Sequence, residues 1–281
     1  AVGAGTRPRV VASPFAGLFL AWAVFCSSGL SALCRRAAFR YLVALKLLGR
    51  PRVAETWQDP AVLLAAELDR PPAPGEWSAL AGSPERGELA RELIRWHARR
   101  GAATGAVTPE RVGDVFLFCD ATTGGWLHAA VVPAGAYAAD AIREGVGLVA
   151  SATGSACTLV TDPPGAGESS PRRAGADLAH FSLAGCPLPP GLDPETDLLA
   201  SLVARAAVRA FAVRLRGFGG SSAEHLYRNF LAAHGDVQLG DEVAVRIDPP
   251  PLHAVLRLGG HDEDTFTLAD GRRARVTVSQ D

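Results

Sequence analysis

The stretch Val10-Val11-Ala12-Ser13-Pro14-Phe15-Ala16-Gly17-Leu18-Phe19-Leu20-Ala21-Trp22-Ala23-Val24-Phe25-Cys26, continuing to Cys34, decides how the rest of the chain is read. Its 25 residues carry no charge, with Arg7 and Arg9 before them and Arg35 and Arg36 after. A run of this length has two physical explanations: a membrane span, which takes about 20 apolar residues, or a central element covered on every side by a globular core. Local signals favour the core. Ser13-Pro14 reads as a helix start, a hydroxyl cap followed by a proline with its φ already set. Ser27-Ser28-Gly29 reads as a turn, so only about four helical turns precede it. A second apolar helix, Ala37 to Leu48, is interrupted by Arg40 and Lys46 and stops at Gly49. Two short helices joined by Ser-Ser-Gly suit a buried hairpin; a membrane anchor through Val10–Cys34 is the alternative. Two arginines at each end of the run give no orientation signal.

The whole chain has 281 residues, 48% apolar and 20% charged, the composition of a folded protein with a substantial core. A net charge of −1 argues against a general nucleic-acid binder. Lys46 is the single lysine among 28 cationic residues, a bias first of composition and only second of function. No methionine is present, so the sequence is read as processed or as a piece of a longer chain. Five cysteines, Cys26, Cys34, Cys119, Cys157 and Cys186, form no Cys-x-x-Cys pair, which removes the usual zinc and redox signatures and suits a reducing compartment. Cys26 and Cys34 lie in apolar runs as small core residues.

The first third reads as helical. Asp59-Pro60 opens a helix through Leu68, and Ser83-Pro84-Glu85 opens another whose Leu89, Leu93 and Trp96 share a face before Gly101 ends it. The middle third turns to β. Asp114–Cys119 and Trp126–Val132 predict a hairpin, Ala156–Thr161 a third strand, and Ala136–Arg143 a short helix. Asp162–Gly175, rich in proline, glycine and serine, reads as a loop. In the last third, Asp193-Pro194-Glu195 starts a long helix to about Arg216, with Leu199, Val203, Ala206, Ala210 and Val213 on one apolar face. After Gly217–Gly220, Ser221-Ser222-Ala223-Glu224 matches a capping box and opens a helix to Gly235. Asp241–Asp248 and Arg273–Val278 alternate as half-buried strands around a short helix at Pro251–Leu258. The tail is thus helix, helix, strand, helix, strand.

These elements predict an α+β fold, mainly helical with a small antiparallel sheet. Three regions follow: helical 1–112, a β-rich insertion 113–176, and a C-terminal unit 177–281.

Chemistry-bearing motifs are sparse. There is no Gly-Lys-Ser/Thr phosphate loop and no Gly-x-Ser-x-Gly elbow. A hydrolase would have to draw on the middle hairpin, with Cys119, His128 or Ser155 in the site. His261-Asp262-Glu263-Asp264 with His253 has metal-friendly side chains, but four consecutive residues cannot all converge on one ion, so a solvated loop is expected. Arg205, Arg209 and Arg216 form a basic stripe on the long helix, ordinarily a wet face and otherwise a dock for an acidic partner. No catalytic, cofactor-binding or metal-binding set is assigned.

Three blocks resemble a family described as contractile injection system tape measure proteins, encoded with phage-tail-like particles. The first is Ser13-Pro14-Phe15-Ala16-Gly17-Leu18-Phe19-Leu20, followed by Tyr41-Leu42. The second is Leu183-Ala184-Gly185-Cys186-Pro187-Leu188. The third runs from Ser221-Ser222-Ala223-Glu224-His225-Leu226 through Phe230-Leu231 to Gly235. The likeness covers about a third of the chain and rests on capping, turn and packing residues. The family's tryptophan-rich C-terminus is absent, since no tryptophan follows Trp126, and Asp114–Gly175 reads as an insertion. The resemblance implies a non-enzymatic structural or assembly component, cytoplasmic and assembled into or with a particle, with tube, sheath or baseplate proteins as partners and no nucleic acid. With 20 prolines, 30 glycines and no heptads, the chain is no extended helical ruler; a compact cap, hub or adaptor is the expectation.

Overall fold

The computed structural model describes residues 9–80, 84–101, 105–132, 138–160, 171–183 and 189–280. In chain order the elements are β1 (Arg9–Ser13), α1 (Leu18–Ser27), α2 (Leu30–Leu33), α3 (Ala37–Leu48), α4 (Val53–Thr56), α5 (Pro60–Ala65), α6 (Pro74–Ser78), α7 (Pro84–Arg99), β2 (Ala106–Val112), β3 (Val115–Asp120), β4 (Trp126–Val131), α8 (Ala138–Thr153), β5 (Thr158–Leu159), α9 (Pro171–Phe181), α10 (Pro194–Arg214), α11 (Ala223–Leu226), β6 (Gly235–Leu239), β7 (Glu242–Ile247), α12 (His253–Leu258), β8 (Glu263–Thr267) and β9 (Arg273–Val278). A 3-10 turn at Arg50–Arg52 and a π turn at Tyr227–Leu231 complete them. The fold is α+β with two small mixed sheets. Two compact units divide the chain, one of Ala1–Pro71 with Ala207–Asp281 and one of Pro72–Ala206, so sequence neighbours and structural neighbours group differently from the three consecutive regions read above.

The first unit is built around α1. Every side chain from Leu18 to Phe25 is buried, because α3, α5, β8 and the π turn pack around the helix. That explains the uncharged run: a helix covered on all sides has no solvent face on which to place charge. The helix has 10 residues, and among the described residues no helix is long and apolar enough to cross a membrane. Helix α3 is equally enclosed, with Ala38 to Leu48 all buried, Lys46 included. The hairpin turn lies where Ser27-Ser28-Gly29 placed it, with Gly29 at φ +81°.

The opening of the run is corrected. Ser13 does not cap a helix; it ends β1, which pairs antiparallel with β6, Ser13 opposite Gly235. Helix α1 starts only at Leu18. The Ser13 hydroxyl donates to the Asp59 carboxylate at 2.9 Å and accepts from the Phe15 N–H at 3.0 Å. Asp59 in turn caps α5 through the N–H groups of Ala61 and Val62, as Asp59-Pro60 predicts.

The sheet of this unit has the order β1-β6-β7-β9-β8. Strands β7 and β9 run parallel, Val243 beside Ala274, Val245 beside Val276 and Ile247 beside Val278. All six are buried, which matches the alternation read in both segments. The parallel pair requires a crossover, and α12 with the edge strand β8 supplies it. The tail therefore holds four strands, with β6 and β8 additional to the expected two, and the sheet is mixed where an antiparallel one was anticipated. β8 begins inside His261–Asp264, so Glu263 and Asp264 belong to a strand and not to a loop. The helix cap is also shifted by one residue: Ser222, not Ser221, accepts from the backbone N–H of His225, and Glu224 turns outward to Arg52 and Arg228.

The second unit holds the four-stranded sheet β4-β3-β2-β5. The hairpin of β3 and β4 is the expected one, preceded by the unanticipated β2. The third strand shrinks to Thr158–Leu159, running parallel to β2. Val107, Phe116 and Phe118 on one sheet face pack with Ile94 of α7 and Val149 and Ala152 of α8. Helix α8 is 16 residues long, twice the expected helix, and Gly145 lets it settle on the Phe118 ring. The proline-rich segment expected as a loop through Gly175 is helical from Pro171 onward; 161–170 lie outside the described residues.

Candidate functional site

The three arginines of the expected partner face have different surroundings. The Arg205 guanidinium lies over the Trp126 ring, 4.1 Å from its centroid, and its Nε is 3.5 Å from Oδ2 of Asp177. It is built into the interior of the second unit, its side chain 19% exposed. Arg209 and Arg216 belong to the first unit and are exposed. Arg209 donates to the Gly219 carbonyl, and Arg216 follows the end of α10.

Around Arg205 the second unit gathers polar groups that sequence reading missed. Strand register explains how. Thr108 of β2 stands opposite Cys119 of β3, and Glu110 is two residues from Thr108, so the three share a sheet face. Trp126 pairs with Cys119 across a register shift in β4. Asp177 and His180, three residues apart on α9, share a helix face, and α9 packs on β2. His97 feels the charges of Arg205 and Arg100, and Glu110 feels that of Arg205.

Burial sets the protonation states here. It pushes His97 down to about 4, with Arg205 and Arg100 adding to the effect, so the ring is neutral near pH 7. It raises Glu110, partly countered by Arg205. It pushes the Cys119 thiol up to about 12, which leaves almost no thiolate. His97 Nε2, Thr108 Oγ1, Glu110 Oε2 and Asp120 Oδ2 are buried without a hydrogen-bond partner among the described residues. The other Asp120 oxygen accepts from Thr122 and Thr123 and so folds the β3–β4 turn. The signal for this cluster in the sequence was slight: Thr108 and Glu110 interrupt a strand next to a strongly apolar one.

Cys119, His128 and Ser155, the alternatives for a hydrolase site, are not brought to one sheet face. Cys119 and Phe118 are consecutive on β3 and point to opposite faces; His128 stands opposite Phe118 and stacks on its ring at 5.5 Å. Burial takes His128 down to about 4. Ser155 is exposed, two residues beyond the end of α8.

Nor do the acidic and histidine residues of the tail converge. His261 Nε2 donates to the Arg214 carbonyl at 3.1 Å, and His253 Nδ1 donates to the Pro250 carbonyl at 3.1 Å. Asp264 pairs with Arg214 at 3.1 Å and Glu263 with Arg275. Among the described residues no three His, Cys, Asp or Glu side chains form a group able to hold a metal ion.

The best-defined joint is of backbone. Gly17 donates its N–H to the Ala233 carbonyl at 3.0 Å, and a Cβ there would stand 2.5 Å from the Leu231 carbonyl oxygen. Gly235 is as closely confined, 2.2 Å from the Arg246 carbonyl oxygen and 2.9 Å from Ala16 Cβ. The chain matches no family model, no curated protein and no solved structure.

Proposed function

We propose that this protein is a non-enzymatic structural or assembly component of a phage-tail-like contractile injection system, a compact cap, hub or adaptor. One observation supports the reading above the others. The first and third blocks that carry the family resemblance, Ser13–Leu20 and Ser221–Gly235, meet at a single joint. Gly17 abuts the π turn at Leu231, and Ser13 pairs with Gly235. Residues far apart in sequence that carry one resemblance and close one contact have the character of a packing motif. At Gly17 and Gly235 they contribute backbone fit. Of the second block, 184–188 lie outside the described residues.

The experiment is isolation of particles from the native host, with the chain tracked by immunoblot through density-gradient sedimentation. Co-migration with sheath, tube or baseplate proteins, resistant to detergent, is the expected result. Recovery only as free protein, in cells that assemble complete particles, would sink the proposal. Release by detergent alone would point instead to the anchoring role considered for Val10–Cys34.

A further inference from the structure

Three large apolar side chains are exposed on the first unit among the described residues: Val10 on β1, 57%, and the two most exposed, Val213 on α10, 65%, and Leu258 at the end of α12, 90%. Val213 was expected on the buried face of its helix. Leu199, Val203 and Ala206 of that face are buried as expected, but near the end of α10 the buried residues are Phe211 and Ala212, with Leu215 just beyond it. The two most exposed residues border one joint. His261, three residues past Leu258, hydrogen-bonds the Arg214 carbonyl, and Asp264 of β8 holds the Arg214 side chain. Val213 itself lies against Gly219.

Cations surround this joint. Arg209 is one helical turn before Val213, Arg216 is three residues after it, and Arg257 directly precedes Leu258; all three are exposed. Arg209 meets a backbone carbonyl, and neither Arg216 nor Arg257 has an acidic partner among the described residues. The neighbouring acids Glu263 and Asp264 are already committed to Arg275 and Arg214. Asp262 is left, so positive charge remains in surplus. Some other arginines of this unit are matched, Arg40 with Glu67, Arg52 with Glu224, Arg272 with Asp270 and Arg273 with Glu242, while Arg9, Arg35 and Arg246 have no acidic partner among the described residues; what distinguishes this patch is that its cations flank two exposed apolar side chains.

We infer that Arg209, Val213, Arg216, Arg257 and Leu258 form a docking surface for an acidic, amphipathic protein segment, whose carboxylates meet the arginines while its apolar side chains cover Val213 and Leu258. Two exposed apolar anchors within a cationic rim are the composition of a protein interface. A nucleic acid would use the cations and leave the anchors wet, and the near-neutral chain offers it no wider basic field. The inference goes beyond the injection-particle reading and does not depend on it.

The test uses the full chain and a fluorescein-labelled helical peptide of about four turns, built of glutamate with leucine on one face, followed by fluorescence anisotropy. Saturable binding is expected, weakening about tenfold as sodium chloride rises from about 50 to about 300 mM. Arg209→Glu/Arg216→Glu/Arg257→Glu should lose at least about tenfold in affinity, and Val213→Ser/Leu258→Ser about fivefold, since each removes hot-spot contacts. Arg273→Glu on β9 should bind as the parent does. All substituted positions are exposed, and circular dichroism melts verify folding; the single variants Arg216→Gln and Leu258→Ser stand in if a multiple variant unfolds. Three results would each overturn the inference: no saturable binding, equal binding by the variants, or tighter binding of a single-stranded oligonucleotide or of phosphatidylserine vesicles than of the peptide.

Discussion

Arg40 and Glu67 form a buried ion pair, Nη2 to Oε2 at 2.9 Å, with side chains only 8% and 10% exposed. Arg40 comes from the all-buried helix α3 and also donates to the carbonyls of Cys34 and Arg35. Glu67 sits past the end of α5 at φ +61°, a left-handed conformation that costs a non-glycine residue about 1 kcal/mol or more. Its second oxygen accepts from the backbone N–H of Ala269 in the β8–β9 turn. One side chain thus ties the N-terminal helices to the C-terminal sheet.

Removing one partner should strand the other charge in the interior. Glu67→Ala is expected to cost about 3–5 kcal/mol in urea unfolding of the first unit. Glu67→Gly should cost about 1 kcal/mol less than Glu67→Ala, because glycine relieves the positive φ. Equal losses would mean that the backbone strain contributes nothing.

Two glycines on one helix should behave oppositely. At Gly145 of α8 a Cβ would stand 2.1 Å from the Phe118 ring, so Gly145→Ala should destabilise the second unit by about 1–3 kcal/mol. At Gly147 nothing lies within 4 Å, so Gly147→Ala should stabilise it by about 0.5–1 kcal/mol. Thermal melts of the two variants give the signs directly.

At the joint of the two resembling blocks, Gly17→Ala would drive a methyl group into the Leu231 carbonyl. A loss of about 3 kcal/mol is expected, the upper end for overpacking. Denaturant midpoints would measure it, and a neutral result would show that the joint yields.

Acid should weaken the second unit through its histidines. His97 and His128 titrate near 4 in the folded protein and near 6.5 when unfolded. Depressed in the fold, they are neutral there, and the unfolded chain takes up protons first. Stability is therefore full above about pH 6.5 and falls as pH drops toward 4, by on the order of 3 kcal/mol per histidine. Glu110, raised in the fold, acts in the opposite direction below its folded value and offsets part of the loss. His128→Phe should flatten the pH profile over this window, measured as unfolding free energy at several pH values; an unchanged slope would contradict the account.

Much of the architecture was legible in local signals. The uncharged run, the Ser-Ser-Gly turn and Gly49 specify a helical hairpin, because a helix enclosed on all sides has no solvent face on which to place an unpaired charge. Asp59-Pro60 specifies its cap through side-chain chemistry that needs no distant partner. The alternation in Glu242–Ile247 and Arg273–Val278 marks half-buried strands through the period of the pleat. What the sequence alone did not determine are the features whose partners lie far along the chain. β1 exists because β6 is there to pair with it, across more than two hundred residues, so Ser13-Pro14 read as a helix start. Glu110, Cys119 and Arg205 are unremarkable until strand register and α9 bring them together. Val213 carries the right periodicity for burial, yet the end of α10 is held by His261 and by Asp264 of β8, and Val213 is left facing solvent. Local sequence fixes which residues can form a helix, a turn or a strand; only tertiary packing decides which faces meet, and so which apolar and charged groups are left for a partner.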